Sequence, residues 1–253
     1  MVNAAEQVVV VTGGNGGIGA ALVAAYADLG ATVINTDRGP EPTGNAAAYY
    51  DLDVTDEGAV TATLAEIVDR FGRIDVVVHA AGVLGDTVDP METTTAEFER
   101  VMTINGTATF TVAREAGRIM RERGIRGSIL LLSSVAAKEA RTTYLPYNAS
   151  KIAVLHITWS MAQILGPSGI SVNAIAPGPT ETRMWAQLAD ASGPDADRAR
   201  RAREARAAQL PMGRFAQPEE IASAALFLTD PRNRYITGIT LDVAGGAHLG
   251  MGS

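Results

Sequence analysis

Five glycines crowd residues 13–19, in the run Thr12-Gly13-Gly14-Asn15-Gly16-Gly17-Ile18-Gly19. A short β-branched stretch, Val8–Thr12, precedes the run, and a helical pattern from about Gly17 to Leu29 comes after it. A strand that turns at once into a helix through residues without Cβ atoms restricts the chain to strand–helix–strand units. Glycine in such a turn permits positive φ and lets an anionic group approach the main chain. The helix N-terminus beyond it offers unpaired N–H groups and a favourable dipole. Two spacings fit: Gly14, Gly16 and Gly19 read as G-x-G-x-x-G, and Gly13, Gly17 and Gly19 as G-x-x-x-G-x-G. Either one points to the pyrophosphate of a dinucleotide.

The same alternation runs along the chain. Strands are expected at Thr32–Thr36, Ile74–His79, Ser128–Ser133, Ser171–Ala176 and Ile239–Val243. Helices are expected at Val60–Phe71, Thr95–Arg123, Tyr147–Leu165 and Pro218–Thr229. Strand and helix in turn imply right-handed crossovers and a sheet covered on both faces. The predicted fold is α/β, a Rossmann-type doubly wound parallel sheet, as a single domain over residues 1–253. Pro177–Met212 is the least regular stretch, so a substrate lid is expected at about 178–212.

Composition narrows the chemistry. Hydrophobic residues make up 47% of 253, enough for a large core. A net charge of −7 weighs against nucleic acid as a partner. Absence of cysteine excludes disulfides, thiolate metal sites, iron–sulfur clusters and a cysteine nucleophile. His79, His156 and His248 lie far apart, so no metal site is expected. No apolar run reaches the length of a membrane span or a signal segment, which predicts a soluble cytoplasmic protein with no membrane partner. Against 19 arginines there are two lysines, Lys138 and Lys151, so each calls for a reason.

Asp37 ends the second strand, 18 residues beyond Gly19. A carboxylate there can accept both ribose hydroxyls of an adenosine and repel a 2′-phosphate, which predicts NAD rather than NADP. Arg38 beside it is the group that could accommodate such a phosphate. In Tyr147-Asn148-Ala149-Ser150-Lys151 the first and last residues stand at i and i+4, on one helix face. A phenol with a pKa of about 10 stays protonated at neutral pH and so cannot accept a proton, and a neighbouring ammonium stabilises the phenolate and lowers that pKa. The pair is a sufficient general acid/base for a hydroxyl proton. The helix carrying it is apolar nearly all round, with Ile152, Val154, Leu155, Ile157, Trp159, Met161, Ile164 and Leu165. Such a helix packs on the sheet and on a partner subunit.

With these motifs in order, the whole chain resembles the short-chain dehydrogenase/reductase family, in its short single-domain branch. The family's Thr-Gly-x-x-x-Gly-Ile-Gly matches Thr12–Gly19 and selects Gly13, Gly17 and Gly19. Its Tyr-x-x-x-Lys matches Tyr147 and Lys151, and its serine, thirteen residues before the tyrosine, is Ser134 rather than Ser133. Its helix asparagine matches Asn105, and its Pro-Gly matches Pro177-Gly178. The resemblance implies a catalytic set of Ser134, Tyr147, Lys151 and Asn105. Tyr147 would move the proton and Ser134 would hold the substrate oxygen. Lys151 would lower the tyrosine pKa and bind the nicotinamide ribose, while Asn105 would support a relay water. The implied cofactor contacts are Gly13, Asn15, Gly17, Ile18, Gly19, Asp37, Arg38, Asp53, Val54, Ala81, Gly82, Tyr147, Lys151, Pro177, Gly178, Thr180 and Thr182. Two segments depart from the family: Asn-Asn-Ala-Gly is His79-Ala80-Ala81-Gly82 here, and Val-Asp-Gly-Gly is Val243-Ala244-Gly245-Gly246. His79 is expected to be a satisfied strand-end histidine rather than a catalytic one.

Position and polarity place Leu84, Ala136, Tyr144, Met184, Trp185 and Leu188 around a mixed, mainly apolar substrate pocket. Arg198, Arg200, Arg201, Arg203 and Arg206 read either as a solvated helix face or as a dock for an anionic carrier. The leading expectation is an NAD-dependent dehydrogenase of a secondary alcohol: a polyol, cyclic alcohol, hydroxysteroid or similar compound. The alternative is an NAD(P)H-dependent reductase of a 3-oxoacyl thioester or polyketide-like ketone. A catalytically silent sensor on the same fold is a third reading, opposed by the intact Ser134, Tyr147, Lys151 and Asn105. A homotetramer or homodimer is expected from the resemblance and from the apolar helix.

Overall fold

A computed structural model of the chain describes residues 6–42, 44–86, 88–140, 142–182, 196–247 and 249, the side chains of 196–199 excepted. Seven strands form one sheet: β1 (Val8–Thr12), β2 (Thr32–Asp37), β3 (Ala48–Asp51), β4 (Val76–His79), β5 (Ser128–Leu132), β6 (Ser171–Pro177) and β7 (Thr240–Val243). Their order is β3-β2-β1-β4-β5-β6-β7, and every pairing is parallel. The described helices are α1 (Gly17–Asp28), α2 (Glu57–Phe71), α3 (Thr95–Met102), α4 (Ala108–Glu122), α5 (Leu145–Leu165), α6 (Ala196–Ala208) and α7 (Pro218–Thr229). This is the doubly wound fold expected from the alternating pattern. Among the described residues, no helix is long and apolar enough to cross a membrane.

Strand periodicity divides the core in two. Val8, Val10, Ile34, Val77, Ile129 and Leu131 face α2, α4 and α5 through Leu64, Val112 and Val154. Val9, Val11, Val33, Val78, Leu130 and Ile175 face α1 and α7 through Leu22, Tyr26, Ile221 and Ala225. Continuous apolar strands are what a sheet buried on both faces requires. A hydrogen bond of 2.6 Å between the Tyr26 and Thr229 hydroxyls joins α1 to α7.

Strand order reverses between β1 and β4. Crossovers to β2 and β3 leave on one side, and those to β5, β6 and β7 on the other. A crevice therefore opens at the carboxyl ends of β1 and β4, the place where doubly wound sheets bind ligands.

Three differences from the sequence reading have physical causes. Strand β3 lies at the sheet edge with no apolar run of its own, and Pro40, Pro42 and Gly44 stand before it. The helix expected over Thr95–Arg123 is interrupted by a π-helical turn at Thr103–Thr107. Thr103, Gly106 and Thr107 are weak helix formers, and the Thr109 hydroxyl donates to the Asn105 carbonyl at 2.6 Å. Helix α5 starts at Leu145, two residues earlier than expected, with Pro146 in its first turn, where the missing N–H costs little.

The glycine run shows which spacing is steric. Gly13 has φ +70°, and a Cβ there would lie 2.5 Å from the Ala81 nitrogen. At Gly19 a Cβ would lie 2.0 Å from the Gly13 carbonyl oxygen, and at Gly17 it would lie 2.8 Å from the Thr182 methyl. Gly16 is less crowded, its nearest obstacle being 3.2 Å away. Gly14, outside the chosen spacing, is also confined: its Cβ would meet the buried Asn35 amide. Gly13→Ala should therefore cost about 2–4 kcal/mol in urea unfolding, from strained φ plus overpacking. Gly16→Ala should cost about 1 kcal/mol or less, as a helix cap change. Equal losses at the two positions would refute this steric assignment.

Candidate active site

The crevice contains two adjoining cavities that share Ile18, Ala80, Gly82 and Thr182. One, of about 360 Å³, runs from the glycine turn to the ends of β2 and β3. Its walls include Gly13, Gly17, Ile18, Gly19, Asp37, Arg38, Asp53, Val54, Ala81 and Gly82. Asp37 Oδ2 accepts the Asn15 N–H at 2.8 Å, and Oδ1 accepts the Arg38 N–H at 2.7 Å. Asn15 thus touches the site through Asp37 and is absent from the cavity wall. Asp53 accepts the N–H and the hydroxyl of Thr55, which holds its carboxyl below the usual range.

The other cavity holds the chemistry-bearing side chains: Ser134, Tyr147 and Lys151, beside Leu84, Ala136, Tyr144, Pro177, Gly178, Thr180 and Thr182. Helix α5 brings Tyr147 and Lys151 one turn apart, with the ammonium 5.6 Å from the phenol ring centre. Lys151 is 6% exposed, and its Nζ donates to the Leu132 carbonyl at the end of β5 at 2.8 Å. Burial lowers its pKa to about 8. Ser133 and Ser134 come directly after β5 and diverge in role. The Ser133 hydroxyl donates to the Lys151 carbonyl at 2.9 Å, which ties α5 to the sheet. Ser134 Oγ accepts the Ala136 N–H at 3.1 Å, so its own proton remains available to a ligand oxygen.

Asn105 lies behind the cavity rather than in its wall. Its amide pairs with Val83 in both directions, accepting the N–H and donating to the carbonyl, each at 2.8 Å. It also donates to Ser150 Oγ at 3.0 Å, and that hydroxyl donates to the Tyr147 carbonyl at 2.7 Å. A Cβ on Gly82 would come within 3.1 Å of the Asn105 amide oxygen and 3.5 Å of Lys151 Nζ. That cradle, open only because Gly82 lacks a side chain, fits a flat ring laid against Lys151 and Ser134.

Comparison with known proteins identifies the family. A family profile described as Enoyl-(Acyl carrier protein) reductase matches residues 13–248. L-fucose dehydrogenase of Oryctolagus cuniculus is 38% identical over 98% of this chain and 87% of its own. A 3-oxoacyl-(acyl-carrier-protein) reductase of Vibrio cholerae is 34% identical over 98% of this chain and 99% of its own. The NAD+-bound xylitol dehydrogenase structure superposes with a TM-score of 0.86 at 29% identity, covering 96% of this chain and 99% of that one. The chain belongs to the short-chain dehydrogenase/reductase family. As a family member it is an oxidoreductase acting on the CH–OH group of secondary alcohols.

The departures from the family pattern have local explanations. His79 is 2% exposed, and its Nδ1 lies 2.7 Å from the Thr12 hydroxyl, which joins the ends of β4 and β1; its buried Nε2 has no partner among the described residues, so the expected satisfied histidine is satisfied on one side of the ring only. Burial, reinforced by the Lys151 charge, holds its pKa near 3, so it stays neutral. Ala244 packs against Gly178, where a Cβ would come within 2.8 Å of the Ala244 Cα. Met184, Trp185 and Leu188 lie outside the described residues. Val135, Asn148 and Pro179 line the cavity and are not expected from the sequence reading. Their adjacency to Ser134, Tyr147 and Gly178 is the signal that could have found them.

Of the five arginines, Arg198 has no described side chain. Arg200 pairs with Glu204 at 3.3 Å, Arg203 with Glu181, and Arg206 donates to the Gln209 amide oxygen at 3.0 Å. Arg201 has a partner too.

The lowered Lys151 pKa has a consequence for stability. The unfolded chain keeps this proton up to about pH 10.5, whereas the folded chain releases it near pH 8. Stability from this group therefore rises with pH across that window. Lys151→Met should gain most over the wild type below pH 8, and its advantage should shrink between pH 8 and 10.5. Urea titrations of both proteins across that range would measure the difference. A pH-independent difference would refute the buried ammonium.

Proposed function

We propose that the chain is an NAD-dependent dehydrogenase of a polyhydroxy or cyclic secondary alcohol, with Tyr147, Lys151, Ser134 and Asn105 as its machinery. One observation carries this reading: Tyr147 and Lys151 stand one turn apart on α5, in the same cavity wall as the Ser134 hydroxyl. Nicotinamide, when bound, supplies the hydride acceptor for the alcohol carbon. The chain supplies position and proton chemistry. Ser134 donates its hydroxyl proton to the substrate oxygen and fixes that oxygen beside the phenol. Tyr147 removes the hydroxyl proton as phenolate. Lys151 stabilises that phenolate through its charge, strengthened by burial. Asn105 acts from behind the cavity: its amide pairs with both main-chain groups of Val83 and so keeps the Ala81–Val83 segment in place.

NAD as cofactor is supported by Asp37, whose carboxylate reaches the wall of the long cavity. The L-fucose and xylitol dehydrogenases among its relatives support a polyhydroxy substrate. The acyl-carrier-protein reductase relative favours the thioester alternative. The pairing of Arg200, Arg203 and Arg206 weakens it, since those side chains are already engaged.

Tyr147→Phe should lower turnover of sugars and polyols with NAD+ by about 10²- to 10⁴-fold, the usual contribution of a general acid/base. Cofactor affinity should stay within a few fold. Near-normal turnover by the variant would sink the mechanism.

Self-association as a homotetramer or homodimer completes the proposal. Ile152, Trp159 and Ile164 of α5 and Phe110 of α4 are each 41–59% exposed in the single chain. A partner copy would cover them. Sedimentation at micromolar concentration should give a particle of at least twice the 26.4 kDa chain mass. A stable monomer would overturn this part.

A further inference from the structure

Two polar side chains of strand β3, those of Tyr49 and Asp51, turn toward the bend that ends β2. The Tyr49 hydroxyl points at two carbonyl oxygens, those of Asp37 at 2.9 Å and Gly39 at 2.7 Å. The N–H of Leu52 also donates to the Asp37 carbonyl, at 2.9 Å. On the other side of the bend, the Gly39 N–H donates to the Asp51 carboxylate at 3.0 Å. Gly39 itself sits at φ +92°, so the bend is tight. It carries the two side chains with opposite preferences for an adenosine ribose. Asp37 suits free hydroxyls, and Arg38 suits a 2′-phosphate. Arg38 is 74% exposed and leans on Asp53 at 3.6 Å, so it has room to swing.

We propose that Tyr49 is the positioning residue for cofactor selectivity. By clamping the carbonyls of Asp37 and Gly39, it holds the Asp37 carboxylate toward the ribose and Arg38 away from it. Without the clamp the bend relaxes, Asp37 loses its fixed place, and Arg38 reaches the 2′ position. The inference rests on the NAD reading under Proposed function.

Calorimetric titration of NAD+ and NADP+ into the full chain tests it, with wild type, Tyr49→Phe, Asp51→Ala and Tyr50→Phe. Tyr50 is the control. It is the next residue of β3, and its buried hydroxyl has no hydrogen-bond partner among the described residues. In Tyr49→Phe, the ratio of the NADP+ to the NAD+ dissociation constant should fall by about tenfold, chiefly through weaker NAD+ binding. Asp51→Ala, which loosens the bend from its other side, should move the ratio the same way. Tyr50→Phe should keep it within about twofold, because no hydrogen bond is lost. Equal weakening of both cofactors by Tyr49→Phe, or an unchanged ratio, overturns the inference and leaves the NAD reading standing. A wild type that binds NADP+ more tightly overturns that reading, and the inference with it.

Discussion

At the carboxyl end of β1 the main chain passes so close to the segment after β4 that no side chain fits between them. A Cβ on Gly13 would lie 2.5 Å from the Ala81 nitrogen. Two halves of the sheet diverge at this point, and the closeness of their first turns determines the shape of the crevice. Gly13 donates its N–H to the Thr36 carbonyl at 2.8 Å, so the same turn fixes the end of β2. His79 and Thr12 lock the strands just below it, at 2.7 Å. Ala81 and Gly82 lie directly above. Gly82, next to the point of approach, is common to the walls of both cavities.

Lys151 is the costliest group held in that frame. A buried ammonium needs several kcal/mol of compensation. Its Nζ donates to the Leu132 carbonyl, and its pKa is lowered to about 8. Near neutral pH it still carries its charge for most of the time, in a medium where charge acts strongly. The cost in stability is thus the source of its power over the Tyr147 phenol. Ser133 takes the other end of the residue, bonding the Lys151 carbonyl. Two adjacent serines therefore divide the work, one anchoring α5 and one facing the ligand cavity.

Much of this is legible in the sequence, because it rests on period and spacing. Apolar runs such as Val8–Val11 and Ile129–Leu132 declare buried parallel strands. The i, i+4 spacing of Tyr147 and Lys151 places both on one face whatever surrounds them. The hidden part depends on contacts across the chain. Strand β3 exists because Ala48–Asp51 pairs with β2, and its own residues carry no strand signal beyond two tyrosines. Tyr144, at φ 56°, takes the left-handed conformation just before α5, which nothing in its neighbours announces. Gly14 falls outside the spacing that the resemblance selects, yet it is confined all the same, because its obstacle, the Asn35 amide, comes from another strand.

The π-helical turn at Thr103–Thr107 is the clearest case of a local rule overridden for a distant purpose. Propensity alone would weaken a helix there and would not say where the extra residue goes. Asn105 sits in the middle of the turn, is fully buried, and spends its whole amide on Val83 and Ser150. One added residue rotates α4 by about 100° relative to α3, given 3.6 residues per turn. Asn105 can therefore face the segment after β4 while Val112 and Ala116 of α4 still face the core. Through Ser150, which donates to the Tyr147 carbonyl at 2.7 Å, the turn also touches the helix bearing the phenol. The irregularity links the cavity wall at Gly82 and Val83 to the turn of α5 that positions Tyr147, so a shift in either would be felt by the other.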